Sequence, residues 1–340
     1  MNRVVLVTVG TSLKTESVKA GLAPEKYLVE KPRAASAESN LLDRLLIPGD
    51  RVDLLHSQTA DGEDCAGKLA GWLRSRNVES HKFVIDGLNY NVADFHRGLR
   101  SMISTLTRRL REIRRAKEEP VLCALGGFKA EVAYATLVGA LFGLPNHYIH
   151  QGFDEVLQIP TLPLTWDYAV IDEYADTLSW LDEEPRTWNE ARSRLSAMPD
   201  HLSKAMTEAN DGNVYLSPLG IAYFESYRYR IEAETSTIYL SEEAGREYAD
   251  MQPSVREMFD RQLAKLRVRE IRDARSRTLD RKNGNVLVYP SGHVDERLYW
   301  YADDSVTRVV QFARHEDNYY KERVDKSDYA EGKWIPWPNT

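Results

Sequence analysis

The sequence predicts a mixed α/β chain in three parts: a doubly wound parallel sheet, a small helical middle segment and an α+β domain with an antiparallel sheet. Three observations predict it. Apolar strand signals alternate with helical stretches over the first 175 residues or so. The pattern turns helical and polar near residue 176, and beyond about 233 come a strand, two helices and a run of strands separated by turns. The expected domains are therefore 1–175, 176–232 and 233–340. A length of 340 residues suffices for more than one core.

Val4-Val5-Leu6-Val7 is a continuous apolar run, as a parallel strand buried on both faces requires. Further strands are expected at 51–55, 82–85, 120–125 and 147–149, with helices over 38–46, 63–75, 92–117 and 129–142. This βαβ rhythm is that of a Rossmann-like sheet. In the middle segment, Val214-Tyr215-Leu216 reads as a strand, and Ser217-Pro218, Gly220 and an apolar helix follow. That succession is expected as part of a winged helix. In the last part, 237–240 reads as a strand, and Ser241 with Glu242 and Glu243 opens a helix. Pro253 opens a second helix, with Val255, Met258, Phe259, Leu263 and Leu266 at helical spacing. Strands at 285–289, 296–302 and 306–313 follow, with turns at Asn283-Gly284, Pro290-Ser291-Gly292 and Asp303-Asp304.

The formal net charge is −7, so any nucleic-acid site must be a local basic patch. Cys65 and Cys123 lack metal-ligand spacing and read as buried thiols suited to a reducing compartment. The first apolar run is too short for a signal peptide or a membrane span. A cytoplasmic protein with no membrane partner is expected.

Gly10-Thr11-Ser12-Leu13-Lys14 lies directly beyond the first strand, and Gly126-Gly127-Phe128-Lys129 lies beyond another strand and opens a helix. In a parallel sheet both turns fall at the carboxyl edge, where doubly wound folds bind ligands. Glycines allow backbone N–H groups to approach a phosphate, and the helix N-terminus adds a favourable field. Lys129 supplies a positive charge, Thr11 and Ser12 hydroxyls. These features describe a nucleotide or phosphodiester pocket; the plainer alternative is two ordinary strand-to-helix turns. Neither G-x-G-x-x-G nor G-x-x-x-x-G-K-[ST] is present, which disfavours an NAD- or ATP-driven enzyme.

The set formed by Gly10-Thr11-Ser12, Leu55-His56-Ser57-Gln58-Thr59-Ala60-Asp61-Gly62, Gly126-Gly127-Phe128-Lys129 and Ile159-Pro160-Thr161-Leu162-Pro163 resembles the CARF domain, the sensor of type III CRISPR effectors. The resemblance spans roughly residues 1–170. It implies a homodimer whose two-fold cleft binds a cyclic oligoadenylate, most often cyclic tetra-adenylate. The ligand-binding residues it implies are Gly10, Thr11, Ser12, Leu13, Lys14, Thr59, Gly126, Gly127, Phe128 and Lys129. Many relatives carry Asn or Thr before the paired glycines, whereas Ala124-Leu125 stand here. Ring size and self-degradation of the ligand are therefore left open.

The most basic stretch runs from Lys265 to Lys282, where Arg267, Arg269, Arg272, Arg275, Arg277 and Arg281 stand against Glu270, Asp273 and Asp280. Arg297 begins one strand, Arg314 ends the next, and His315, Tyr319 and Tyr320 follow. Cleavage of RNA by its own 2′-hydroxyl needs a base, an acid and stabilisation of a dianionic phosphorane. Guanidinium groups suit the last, and His, Tyr or Lys suit the others. A solvated arginine face is the competing reading. Arg314 also shares strand parity with Val310 and Phe312, so it reaches a site only where the strand ends or bends.

Residues 237–323, including Glu296-Arg297-Leu298-Tyr299-Trp300-Tyr301 and Val309-Val310-Gln311-Phe312-Ala313-Arg314-His315, resemble RelE/ParE-superfamily toxins. The resemblance implies metal-independent cleavage of mRNA in the ribosomal A site, with no cofactor. It matches Arg297 and Arg314 to the two strand arginines at the scissile phosphate, Tyr319 or Tyr320 to a C-terminal aromatic and His315 to a histidine kept in some branches, and it brings Arg277, Arg281 and Lys282 near the basic loop. Arg297, Arg314, His315, Tyr319, Tyr320, Arg277 and Lys282 are the catalytic residues expected from it. A HEPN ribonuclease is the usual CARF partner, and Arg308/His315 and Arg76/His81 fit its Arg-x(4–6)-His spacing. The first pair begins on an expected strand, whereas that motif needs a helix, and the second lies inside the sensor. Two further alternatives are a CARF–winged-helix transcription regulator and a ParE-like toxin that cuts no RNA.

Overall fold

The computed structural model describes residues 2–150, 153–161, 167–210, 212–278, 286–291, 295–303, 306–314 and 332–337. The chain divides into two compact units, Met1–Thr165 with Asp176–Ser226, and Trp166–Ala175 with Tyr227–Thr340.

The first unit opens with β1 (Arg3–Val9), α1 (Ser12–Ala20), α2 (Pro24–Glu30), α3 (Pro32–Ala35), α4 (Ala37–Leu45), β2 (Arg51–Ser57), α5 (Ala60–Ser75) and β3 (Glu79–Ile85). There follow α6 (Val92–Arg115), β4 (Glu119–Cys123), α7 (Lys129–Leu141), β5 (Asn146–Tyr148) and β6 (Leu157–Ile159). The sheet order is β3-β2-β1-β4-β5-β6, parallel throughout except for β6, which runs antiparallel to β5. As its apolar run predicts, β1 is central and buried from Val4 to Val9. On one face Val5, Val7 and Val9 join Leu13, Leu28, Leu41, Leu42, Leu69 and Trp72 in a single core. Across β3 and β4 packs α6. The edge strand β3 is mostly exposed, which explains its mixed sequence.

The first helix expected from the sequence was 38–46, so α1, α2 and α3 were missed. They are short pieces interrupted by a left-handed Gly21 and by Pro24 and Pro32, so no stretch holds a helical period for long.

Next come α8 (Tyr168–Glu173), α9 (Ala175–Glu183), β7 (Arg186–Thr187), α10 (Trp188–Ser196), α11 (Asp200–Met206), β8 (Thr207–Asn210), β9 (Asn213–Leu216) and α12 (Pro218–Ala233). The three strands form a small antiparallel sheet, β7-β9-β8. Residues 176–226, read from sequence within a separate middle domain, belong to the first unit. There Arg111 pairs with Glu225 at 2.9 Å, Arg100 pairs with Glu208, and the Arg100 guanidinium lies 4.6 Å from the Tyr215 ring centre. Such long-range pairs leave no local trace in a sequence.

The second unit contains α8, β10 (Ile238–Ser241), α13 (Glu242–Asp250), α14 (Pro253–Arg267), α15 (Arg269–Arg275), β11 (Arg277–Thr278), β12 (Leu287–Tyr289), β13 (Glu296–Asp303), β14 (Val306–Arg314) and β15 (Trp334–Trp337). The sheet order is β11-β12-β13-β14-β10-β15. The expected meander is present as β12, β13 and β14; β11, which the sequence did not lead one to expect, pairs antiparallel to β12, and β10 joins parallel to β14. On one face, Phe312 contacts Phe259 of α14 and Tyr248 of α13. On the other, Val286, Val288, Tyr299, Tyr301, Val310 and Ala313 form a second core with Trp334. The sequence reading ended its strands at 313 and missed β15. Pro336 masks that strand, and an edge position is where a strand tolerates proline.

Candidate functional site

In the first unit β1 and β4 are hydrogen-bonded neighbours, and the connections leave them in opposite directions: β1 towards β2, β4 towards β5. This is the switch point at which an open α/β sheet forms a crevice beyond its carboxyl ends. The two glycine turns meet there. A Cβ placed on Gly10 would lie 2.7 Å from the Gly127 nitrogen and 3.2 Å from the Gly126 Cα. Gly127 adopts a left-handed φ of 99°, which favours glycine. The Leu125 amide donates to Thr8 Oγ1 at 3.0 Å, and the Gly126 amide to the Thr8 carbonyl at 3.3 Å, so the second turn is tied to the end of β1.

Two buried carboxylates underlie these turns, and sequence reasoning missed both. Glu38 of α4, 1% exposed, accepts from the Gly10 amide at 2.7 Å and from Ser12 Oγ at 3.4 Å. Glu131, 3% exposed, stands three residues after the helix-capping position of Phe128. Burial pushes its carboxyl up to about 7, against a hydrogen bond with the Phe128 backbone. A Cβ on Gly126 would fall 2.0 Å from Glu38 Oε1, and one on Gly127 would fall 1.9 Å from Glu131 Oε2. The local signal for Glu131 is its position in the first helical turn behind an apolar cap. Glu38 likewise stands in the first turn of α4, behind the Ser36 cap, a signal for a helix start that does not reveal its reach to the Gly10 amide.

The remaining residues expected here lie along the same edge. Thr59 caps α5, accepting from the Gly62 amide at 3.0 Å, and lies 2.9 Å from Ser57 Oγ. Exposed Lys14 pairs with Asp61 at 2.6 Å, and that hydrogen bond holds its ammonium above the usual lysine range. Leu13 is a core residue, whereas Thr11 and Ser12 are half-buried. Lys129 is exposed at the start of α7, a thirteen-residue helix with no side-chain cap. Its first amides are therefore donors available to an anion. Phe128 contacts the rings of Tyr90 and Phe95, at centroid distances of 5.4 and 5.1 Å.

The basic stretch of the second unit is largely committed to structure. Lys265 and Arg275 reach Asp172 at 2.8 and 3.5 Å, and the Tyr227 hydroxyl donates to the same carboxylate at 2.6 Å. Arg267 lies over Trp337 and Arg272 over Trp300, at 4.5 and 5.0 Å from the ring centres. The expectation that Arg297 and Arg314 both serve the scissile phosphate meets a difficulty in the sheet. In register Arg297 opposes Ala313, whereas Arg314 opposes Glu296, so the two arginines start from opposite faces of the sheet. Arg297 is 2% exposed and donates to the Pro290 carbonyl. Arg314 is exposed at the last residue of β14, where the strand does end. Arg277 is exposed on β11. Lys282, His315, Tyr319 and Tyr320 lie outside the described residues.

Fold and turns together define a doubly wound α/β domain whose two glycine turns meet at its switch point. Residues 33–162 match the model of a CRISPR-associated protein family, Cas_APE2256, which supports a CRISPR-associated protein and suggests a role in CRISPR defence. No curated protein matches the chain. Among solved structures, protein VC1899 from Vibrio cholerae is similar over 91% of this chain and 79% of its own, at 9% identity and a TM-score of 0.28. That similarity is too low to carry an argument. Among the described residues no helix is long and apolar enough to cross a membrane.

Proposed function

We propose that this protein is a CRISPR-associated effector in which a cyclic oligoadenylate, cyclic tetra-adenylate first among them, binds a CARF-like homodimer and switches on cleavage of mRNA at the ribosome. The observation that carries the sensor half is the meeting of the Gly10 and Gly126–Gly127 turns at the switch point. Phosphate binding falls to the first amides of α7 and to Lys129, because the Gly10 amide is already held by Glu38. Binding shifts the protein only if the ring prefers one of two arrangements.

The ribonuclease half rests on the RelE-like resemblance. The 2′-oxygen attacks the adjacent phosphorus as the bond to the 5′-oxygen breaks. The hydroxyl proton passes to a base and the leaving oxygen takes one from an acid, leaving a 2′,3′-cyclic phosphate. Arg314 and Arg277 are the exposed cations offered to the phosphate. His315, Tyr319, Tyr320 and Lys282 are the groups proposed for proton transfer. No metal or cofactor is called for. Arg297, buried as it is, enters this chemistry only if ligand binding uncovers it.

That burial favours a second reading, a ParE-like domain that binds its target without cutting RNA. One experiment separates the two: mapping cuts in mRNA in a translation reaction, with and without ribosomes, in the presence of cyclic rings of three to six adenylates. Ring-dependent cuts in decoded codons are expected. Intact transcripts at saturating ligand would overturn the ribonuclease reading.

A further inference from the structure

Tyr90 is the most conspicuous unexplained side chain at the carboxyl edge of the first sheet. It is 73% exposed, yet its loop is firmly built. The Gln58 amide donates to the Leu88 carbonyl at 3.0 Å, and Gln58 Oε1 accepts from the Gly87 amide at 3.0 Å. The Asn91 amide donates to Asn89 Oδ1 at 2.7 Å, and Asn89 Nδ2 to Asp94 at 3.3 Å. The loop is thus bonded to the residue preceding Thr59 on one side. On the other, the Tyr90 ring meets that of Phe128, beside Gly127, at 5.4 Å and an interplanar angle of 66°. Phe128 is braced from a second direction by Phe95, at 5.1 Å.

An aromatic ring held in water on an ordered loop has lost its conformational freedom without gaining burial. A planar, apolar surface presented in this way is suited to a base, because every nucleobase has a π-face. The phosphate-binding groups proposed above, the first amides of α7 and Lys129, begin immediately after Phe128. The sugar–phosphate and the base of one nucleotide therefore have adjacent places to go.

We infer that Tyr90, backed by Phe128, is the platform on which one adenine of the bound ring stacks. The inference rests on the nucleotide-ring reading of the glycine turns and adds to it the residue that recognises the base.

The test is binding of cyclic tetra-adenylate, and of the same ring carrying one 2-aminopurine, to the full chain and to its Tyr90→Phe, Tyr90→Ala and Lys129→Ala variants. Stacking quenches 2-aminopurine fluorescence. Tyr90→Phe is expected to bind within about twofold of the parent and to keep the quench. Tyr90→Ala is expected to bind about five- to a hundredfold more weakly and to lose the quench. Because Tyr90 is exposed, its loss leaves the melting temperature unchanged, which distinguishes a lost platform from a lost fold. If Tyr90→Ala binds and quenches like the parent while Lys129→Ala is weakened, the platform is wrong and the pocket survives. If the parent chain binds neither ring, the ligand reading itself falls, and this inference with it.

Discussion

Gly10 donates its backbone N–H to Glu38 at 2.7 Å, so a buried carboxylate, not a ligand, completes the first glycine turn. Removing the acceptor strands a buried backbone donor, which costs about 1–3 kcal/mol. Glu38→Ala is expected to lose about 3 kcal/mol of unfolding free energy. Glu38→Gln keeps an oxygen in place and is expected to lose about 1 kcal/mol. Urea denaturation of the two variants checks the difference, and equal losses would remove the hydrogen bond from the account.

The Glu131 carboxyl, raised to about 7, makes stability depend on pH in a defined direction. The unfolded chain ionises this group near its ordinary value while the folded chain still holds the proton, so stability falls as pH rises between those two values. Below the unfolded value the effect vanishes, and above the folded one it is complete. The full span amounts to about 3 kcal/mol. Glu131→Gln is expected to flatten the curve, with its largest relative gain near pH 8. Denaturant midpoints at pH 5 and pH 8 decide the matter; a parent and variant with parallel curves would refute it.

Glycine-to-alanine changes are expected to split sharply by position. At Gly126 the added carbon meets Glu38 and the Gly10 amide at 2.0 and 2.3 Å, and at Gly127 it meets Glu131 at a left-handed φ. Overpacking of this kind costs about 1–3 kcal/mol or more. Gly67 and Gly71 of α5 have no atom within 4 Å of an added Cβ. Alanine there is expected to stabilise the chain by up to about 1 kcal/mol each. Thermal melts of the four variants test the contrast.

Asp172 holds together α8, α12, α14 and α15 through Lys265, Arg275 and Tyr227. Asp172→Ala removes the ion pair of poorly exposed Lys265 and leaves Arg275 with Glu173 at 3.5 Å, and is expected to destabilise the second unit by about 3 kcal/mol. Hydrogen exchange in α14 and α15 would register the loss; unaltered protection there would show the cluster to be dispensable.

The two strand arginines are expected to behave differently. Arg297→Ala removes one of the largest fully buried side chains and should lower the melting temperature by several degrees. Arg314→Ala, at an exposed strand end, should leave the melting temperature within about a degree while abolishing ring-dependent mRNA cutting. Preserved cutting in folded Arg314→Ala would remove Arg314 from the reaction.

Much of the fold was legible in local pattern. The runs at Val4–Val7 and Pro120–Cys123 are strands because each is continuously apolar. The helix at 129–141 starts where the paired glycines end, and the Ser241 cap accepts from the Ala244 amide at 3.1 Å, as its residue type predicts. The short helices before residue 36 and the last strand were not legible, because proline and glycine break the period that would reveal them.

By itself, the sequence determined that glycine turns stand at strand ends, that the first sheet is doubly wound and that positive charge gathers near residues 265–282. These properties depend on neighbours a few positions away. Only the tertiary structure decided that the two turns touch, that Glu38 occupies the first of them, that Arg297 and Arg314 leave opposite faces, and that Asp172 neutralises part of the basic stretch. Those relationships link residues from 17 to 117 positions apart. Such contacts are set by strand order and register, which no local period encodes.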